Sequence, residues 1–259
     1  MTVEASDALS HGGGDRLPSQ TVKAQLALRD LLLEGKIGPG ERVSELQMVE
    51  QLGVSRTPVR SALARLAEEG LLEAIPTGGY AVRSFSEAEV FAAIEIRGTL
   101  EGLAARLAAE RGLDPAESRA LAACLDGIDE VVRRDRPSLD DVSRYVALNA
   151  RFHAGLVEAA GSATLARQLE RVAVLPFASP SALVRMQSSS PEAHRSLTVA
   201  QDQHRCVLDA LGRREGARAE AIMREHARLA RRNLERAFGD RRMLALVPGS
   251  ALIRRRECA

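Results

Sequence analysis

Three histidines in the second half of the chain, His153, His204 and His226, are the side chains best suited to chemistry. Asn149 and His153 stand at i and i+4, so on a helix they project from one face. His204 and His226 fall on two further stretches of helical periodicity. In a helical bundle, side chains from three facing helices can meet on a cation in the core. Imidazole suits zinc, nickel, iron or copper, and three imidazoles plus one oxygen donor leave room for an exogenous ligand. The alternative is three histidines that are singly satisfied or partly exposed. Arg97 and Glu101 form another i, i+4 pair. They make either an intrahelical ion pair worth ~0.3–0.5 kcal/mol or a site in which Arg97 turns inward to hold a carboxylate with its planar fork. No HExxH motif or nucleophile constellation accompanies them, as a hydrolytic metal centre would need. His11 sits among glycines and is not expected to be a ligand, and His194 is expected to face solvent.

A second set of candidates lies between Ser44 and Tyr80. Leu46, Val49 and Leu52 recur at roughly helical spacing, and Gly53 stands where that helix would stop. Ser55 is placed to cap a second helix, with Pro58 in its first turn, where the missing N–H does no harm. Val59, Leu63, Leu66, Leu71 and Leu72 supply a buried stripe, and Gly70 ends it. Arg56 and Arg60 start that helix on its other face. Two short helices, a tight turn and basic residues at the second N-terminus describe a DNA-reading helix-turn-helix. They equally describe a plain helical hairpin with solvated arginines. A strand around Leu72–Ile75, a turn at Pro76-Thr77-Gly78-Gly79 and a return strand over Tyr80–Phe85 make a hairpin wing. Its glycines permit positive φ and close approach to a phosphate backbone.

The elements that must position these residues are helical. Of 259 residues only 3% are aromatic and none is Trp, which disfavours sheet-rich architectures. The length allows one large or two ordinary domains with a real core. The formal net charge is +1, so no global basic field draws the chain to nucleic acid, and any DNA affinity must come from a local patch. Cys124, Cys206 and Cys258 are far apart and outside any CxxC arrangement. They are expected as free thiols in a reducing compartment, the cytoplasm, and neither a signal peptide nor a membrane span is apparent.

In order, residues 1–18 are expected as a disordered tail, followed by a helix over Ser19–Glu34 with Val22, Leu26, Ala27 and Leu31 on its buried face. Residues 19–85 form the first domain. Residues 86–238 form the second, with helices opening at Ser86, Pro115, Leu139, Ala163, Ala193 and Gly216; the fourth ends or kinks near Pro176. The segment from Phe177 to Ala193 is part helix, part Ser/Pro loop. Residues 239–259, partly apolar (MLALV) and with a basic run at Arg254–Arg256, make either a solvated tail, which is the expectation, or an extra contact.

The stretch GERVSELQMVEQLGVSRTPVRSALARLAEEGLLEAIPTGGYAV resembles the winged helix of the GntR family of bacterial transcription regulators over about 65 residues without a gap. The resemblance implies that Ser55, Arg56, Thr57 and Arg60 meet base edges or phosphates in the major groove, with Gly78 and Gly79 bringing the wing to the minor groove. An arginine bidentate to guanine contributes ~1–3 kcal/mol of discrimination. Many relatives carry an Arg where this chain has Leu46, so one DNA contact is expected to be absent. IRGTLEGLAARLAAER, LNARFHAGLVEAAG and QDQHRCVLDALGRREGARAEAIMREH are similar to the FadR-type effector domain, FCD. That implies one divalent metal, zinc or nickel foremost, on Asn149, His153, His204 and His226. Asn149 stands where Asp is usual and brings no negative charge, which would favour an anionic effector. It also implies effector contacts by Arg97 and Glu101. The expected molecule is mainly α, a winged helix-turn-helix with a small β-hairpin wing followed by an all-α bundle. It is expected to be a homodimeric regulator of operator DNA, answering to a small carboxylate; the alternatives are a metal-dependent enzyme and a DNA-binding protein whose metal is purely structural.

Overall fold

Three helix starts among the described residues are written locally, by a hydroxyl or carboxylate with an acidic residue three positions on. The computed structural model describes residues 19–134, 137–173, 175, 177–181, 184 and 191–254, with backbone alone for 191–194. The expectations for the 1–18 tail, His11, Pro176, the His194 side chain, most of the Ser/Pro loop, Arg255, Arg256 and Cys258 lie outside the described residues.

Helix α1 spans Gln20–Leu33, α2 Glu45–Leu52 and α3 Arg56–Glu68. Strands β1 (Arg42–Val43), β2 (Leu72–Ala74) and β3 (Tyr80–Val82) form an antiparallel sheet in the order β1-β3-β2, with Leu72 opposite Val82 and Arg42 opposite Ala81. Four longer helices follow: α4 (Glu87–Arg111), α5 (Pro115–Val132), α6 (Leu139–Ala159) and α7 (Ala163–Ala173). Then come α8 (Pro191–Gly212) and α9 (Gly216–Gly239). Capping boxes at Ser86/Glu89, Asp114/Glu117 and Ser138/Asp141 open α4, α5 and α6, each satisfying otherwise orphaned N–H groups reciprocally.

Three details depart from the sequence expectation. Helix α1 buries Ala24, Leu28 and Leu32, while Leu26 is 51% exposed. The stripe is turned because Gln25 and Arg29 both bond Glu69 at the end of α3, which fixes the rotation of α1 against it. The return strand stops at Val82, and Phe85–Ser86 is a separate strand, β4. Residues 241–254 are not a solvated tail. They form a short helix α10 (Arg241–Ala245), a 3-10 turn (Ser250–Leu252) and strand β5 (Ile253–Arg254), which runs parallel to β4 with Phe85 opposite Ile253. Leu244, Val247, Leu252 and Ile253 are buried in the same apolar core as Leu28, Leu32, Val59, Leu63 and Leu66. Leu244 and Val247 of the MLALV run, with Leu252 and Ile253 beyond it, are the reason: burying each large side chain yields about 1.5–3 kcal/mol.

A second core, among α4, α5, α6, α8 and α9, gathers Leu125, Ile128, Phe152, Leu156, Val207 and Met223. Helices α4 and α9 pack at close range along their length. A Cβ on Gly98 would lie 2.3 Å from Ala227 Cβ, so only glycine permits this approach. That approach carries Arg97 and Glu101 on α4 toward His226 on α9.

Candidate metal centre and DNA-reading surface

His153 from α6, His204 from α8 and His226 from α9 converge in the helical domain. One ring nitrogen of each lies within 4.8 Å of those of the others, and all three residues are buried. The Nε2 atoms of His204 and His226 are 3.2 Å apart. Phe152 packs on the cluster, its ring centroid 4.7 Å from that of His204. Burial, with the neighbouring His153, pushes the His204 pKa well below its ordinary value. Burial, then His204 and His153, does the same to His226, so both rings are neutral, the form that ligates metal.

His153 Nδ1 faces Glu101 Oε1 at 2.9 Å, and the other carboxylate oxygen accepts from Arg97 Nη1 at 3.0 Å. Burial alone pushes the Glu101 carboxyl up, but Arg97 and His153 outweigh it and hold its pKa at about 2. Arg97 and Glu101 do form the i, i+4 pair, yet both are almost fully buried, 2% and 4% exposed, so the small value of a solvated pair does not apply. A carboxylate on the far nitrogen of an inward-pointing imidazole is the arrangement that orients a metal-binding histidine. Buried polar atoms left without a partner include His153 Nε2, His226 Nδ1, Arg97 Nε and Asn233 Nδ2. An orphaned imidazole nitrogen inside a cluster of three is the feature a bound cation would satisfy, so the donor set fits a metal. Asn149, one helical turn before His153, is buried and gives its amide N–H to Ser181 Oγ at 3.1 Å, leaving Oδ1 as the atom it could offer.

Gln201, which the sequence reading passed over, accepts from His204 Nδ1 at 3.3 Å. Its position three residues before His204, on the same helical face, was the available signal. Ser196 and Asn233, eight before His204 and seven after His226, bond each other at 3.1 Å, so Asn233 is a further polar group on the inner faces of α8 and α9.

The other candidate set is assembled in the first domain. Arg56, Thr57 and Arg60 are exposed at the N-terminal turns of α3, and among the described residues neither arginine has a side-chain hydrogen bond or ion pair. Ser55 is the residue before the helix but makes no side-chain cap bond, which leaves its hydroxyl open. Gly78 and Gly79 have φ of +88° and +90° at the wing tip. Arg42, on β1, donates to Gly78 O at 2.8 Å and steadies that tip; its pairing across the sheet carries no local sequence signal. Leu46 is 55% exposed on α2, an apolar side chain on the DNA-reading motif.

A winged helix with unpaired arginines on its second motif helix, joined to a helical bundle around buried imidazoles, defines a DNA-binding regulator rather than an enzyme. Residues 14–82 match the model for bacterial regulatory proteins of the gntR family, and residues 92–229 match the FCD domain. The chain therefore belongs to the GntR family and carries an FCD domain. It is 32% identical over 220 residues to a probable D-xylose utilization operon transcriptional repressor of Paenarthrobacter nicotinovorans, covering 82% of this chain and 88% of that one. An HTH-type regulator from an unstable DNA locus of Streptomyces ambofaciens is 32% identical over 212 residues, covering 82% and 83%. The fold is also that of Escherichia coli McbR/YncC, with a TM-score of 0.61 at 22% identity over 87% of this chain and all of that one. Among the described residues no helix is long and apolar enough to cross a membrane.

Proposed function

We propose that the protein is a ligand-responsive repressor in the cytoplasm, released from its operator by a small organic acid bound beside a divalent metal. The observation that carries this reading is the convergence of three buried imidazoles in the helical domain, with His153 Nε2 left without a partner. His153, His204 and His226 would hold the metal, zinc or nickel, with Asn149 Oδ1 as the oxygen donor. Bound there, the metal supplies a positive centre for an acidic ligand. Because Asn149 adds no charge, more of that positive charge is left for the ligand to neutralise. Arg97 has its buried Nε free for an effector carboxylate, while Glu101 acts through His153 and Arg97.

A homodimer places two α3 helices on successive major-groove faces of a pseudo-palindromic operator. Ile96 and Leu103, seven apart on α4, are 52% and 39% exposed, an apolar face suited to a second copy. Ser55, Arg56, Thr57 and Arg60 read the major groove, and Gly78 and Gly79 let the wing approach the backbone. A coupling of ~1–3 kcal/mol between the two sites changes occupancy 5–150-fold.

The test is an electrophoretic shift on the DNA upstream of the protein's own gene, repeated with small mono- and dicarboxylates. Arg56→Ala and Arg60→Ala are each expected to weaken the shift by at least tenfold, and one acid is expected to release the wild-type complex. The same acid at 100 times its dissociation constant should stabilise the protein by about 2.7 kcal/mol. Wild-type binding by both arginine variants, or indifference to every acid, overturns the reading. His204→Ala should abolish metal uptake and weaken the acid's binding.

A further inference from the structure

Gln201 is 3% exposed, and its amide orientation is dictated by acceptor-only partners. Its Nε2 donates to the Leu125 backbone carbonyl at 2.9 Å and to Asp129 Oδ1 at 2.7 Å. Asp129 is itself ion-paired to Arg205. With the NH2 end so committed, the end toward His204 must be the carbonyl oxygen, which can only accept. His204 Nδ1 must therefore carry the proton, and its Nε2 lone pair faces the centre. Glu101 imposes the same tautomer on His153, whose Nε2 is the buried atom with no partner.

His226 has no such anchor. Its Nδ1 is buried without a partner, and its Nε2 lies 3.2 Å from His204 Nε2, which carries the lone pair. Two lone pairs at that distance repel, so without a cation His226 carries its proton on Nε2 and donates it to His204.

We infer that Gln201 is a positioning residue that presets His204 for metal binding, as Glu101 presets His153, whereas His226 is the ligand that must change tautomer when the metal arrives. The proton would then sit on His226 Nδ1 instead of Nε2, and the Nε2 lone pairs of His204 and His226 would both be open to a cation. This inference rests on the metal centre proposed above, and it divides the three ligands into two preset and one switching.

The test has two arms on the full-length protein. In metal-free wild type, nitrogen-15 imidazole spectra should show His153 and His204 protonated at Nδ1 and His226 at Nε2. Zinc should then move the His226 proton to Nδ1 and leave the other two unchanged. In Gln201→Leu, metal-free melting should show a folded protein whose zinc affinity, by competition with a chromophoric chelator, falls 10–100-fold. His204 should then populate both tautomers. An Nε2-protonated His204 in metal-free wild type overturns the inference whether or not the variant folds, as does wild-type zinc affinity in a folded Gln201→Leu. Wild-type protein that takes up neither zinc nor nickel overturns the metal centre instead, and the metal-free tautomers still decide the role of Gln201.

Discussion

His204 and His226 are neutral because burial, before any neighbouring charge, penalises their protonated forms. An unfolded histidine titrates near 6.5. Below that pH the unfolded chain binds protons at these two positions that the native state refuses, so stability falls as the pH drops. The slope is about 1.4 kcal/mol per pH unit for each proton difference, up to ~2.7 for the pair. Above pH 7 both states are neutral and this contribution vanishes. Urea midpoints of metal-free protein between pH 7.5 and 5 should therefore decline with a component that His204→Gln removes in part; a flat profile would contradict neutral buried rings. At this scale the sequence revealed residue types and helical spacing, and hence the three histidines. It did not reveal that Glu101 faces His153 or that Gln201 faces His204, because those contacts join different helices or depend on which way an amide is turned.

Elements were legible where their signals are local. Capping boxes within four residues opened α4, α5 and α6, and Pro58 and Gly70 bracketed α3, so the helices fall within a few residues of expectation. The buried face of α1 was not legible, because two overlapping stripes satisfy helical spacing and Glu69, just past the end of α3, chooses between them. Gly98 is an element-scale requirement of the same kind. An alanine there gains about 1 kcal/mol in helix propensity, but its Cβ would meet Ala227 Cβ at 2.3 Å. Overpacking of this kind costs typically 1–3 kcal/mol, and here the clash involves a Cβ that cannot swing away. Gly98→Ala is therefore expected to be destabilising by ~1–2 kcal/mol net in denaturant titration. By spreading α4 from α9 it should also weaken zinc binding, since Glu101 and His226 sit on those two helices. A stabilised variant with unchanged zinc affinity would show that the close approach is not needed.

The two cores share helices but contain different sites. The winged helix owes part of its core to the far end of the chain, where β5 pairs with β4 and Gly249 N–H donates to Leu33 O at 2.9 Å. The sequence hid this because residues 239–259 carry apolar side chains without a long helical period, and a parallel pair of two-residue strands leaves no pattern to read. The C-terminal segment thus clasps the DNA-reading domain to α4 and α9, while the imidazoles lie in the other core. Leu252 is fully buried in the clasp, and its truncation to alanine should cost 2–5 kcal/mol. That is a large share of the 5–15 kcal/mol that holds an ordinary domain folded. Leu252→Ala is therefore expected to lower the melting temperature and the operator affinity together while leaving zinc stoichiometry at the wild-type value. Loss of zinc along with DNA binding would mean that the two cores unfold as one unit. Undiminished DNA binding would mean that the clasp does not hold the winged helix in its reading pose.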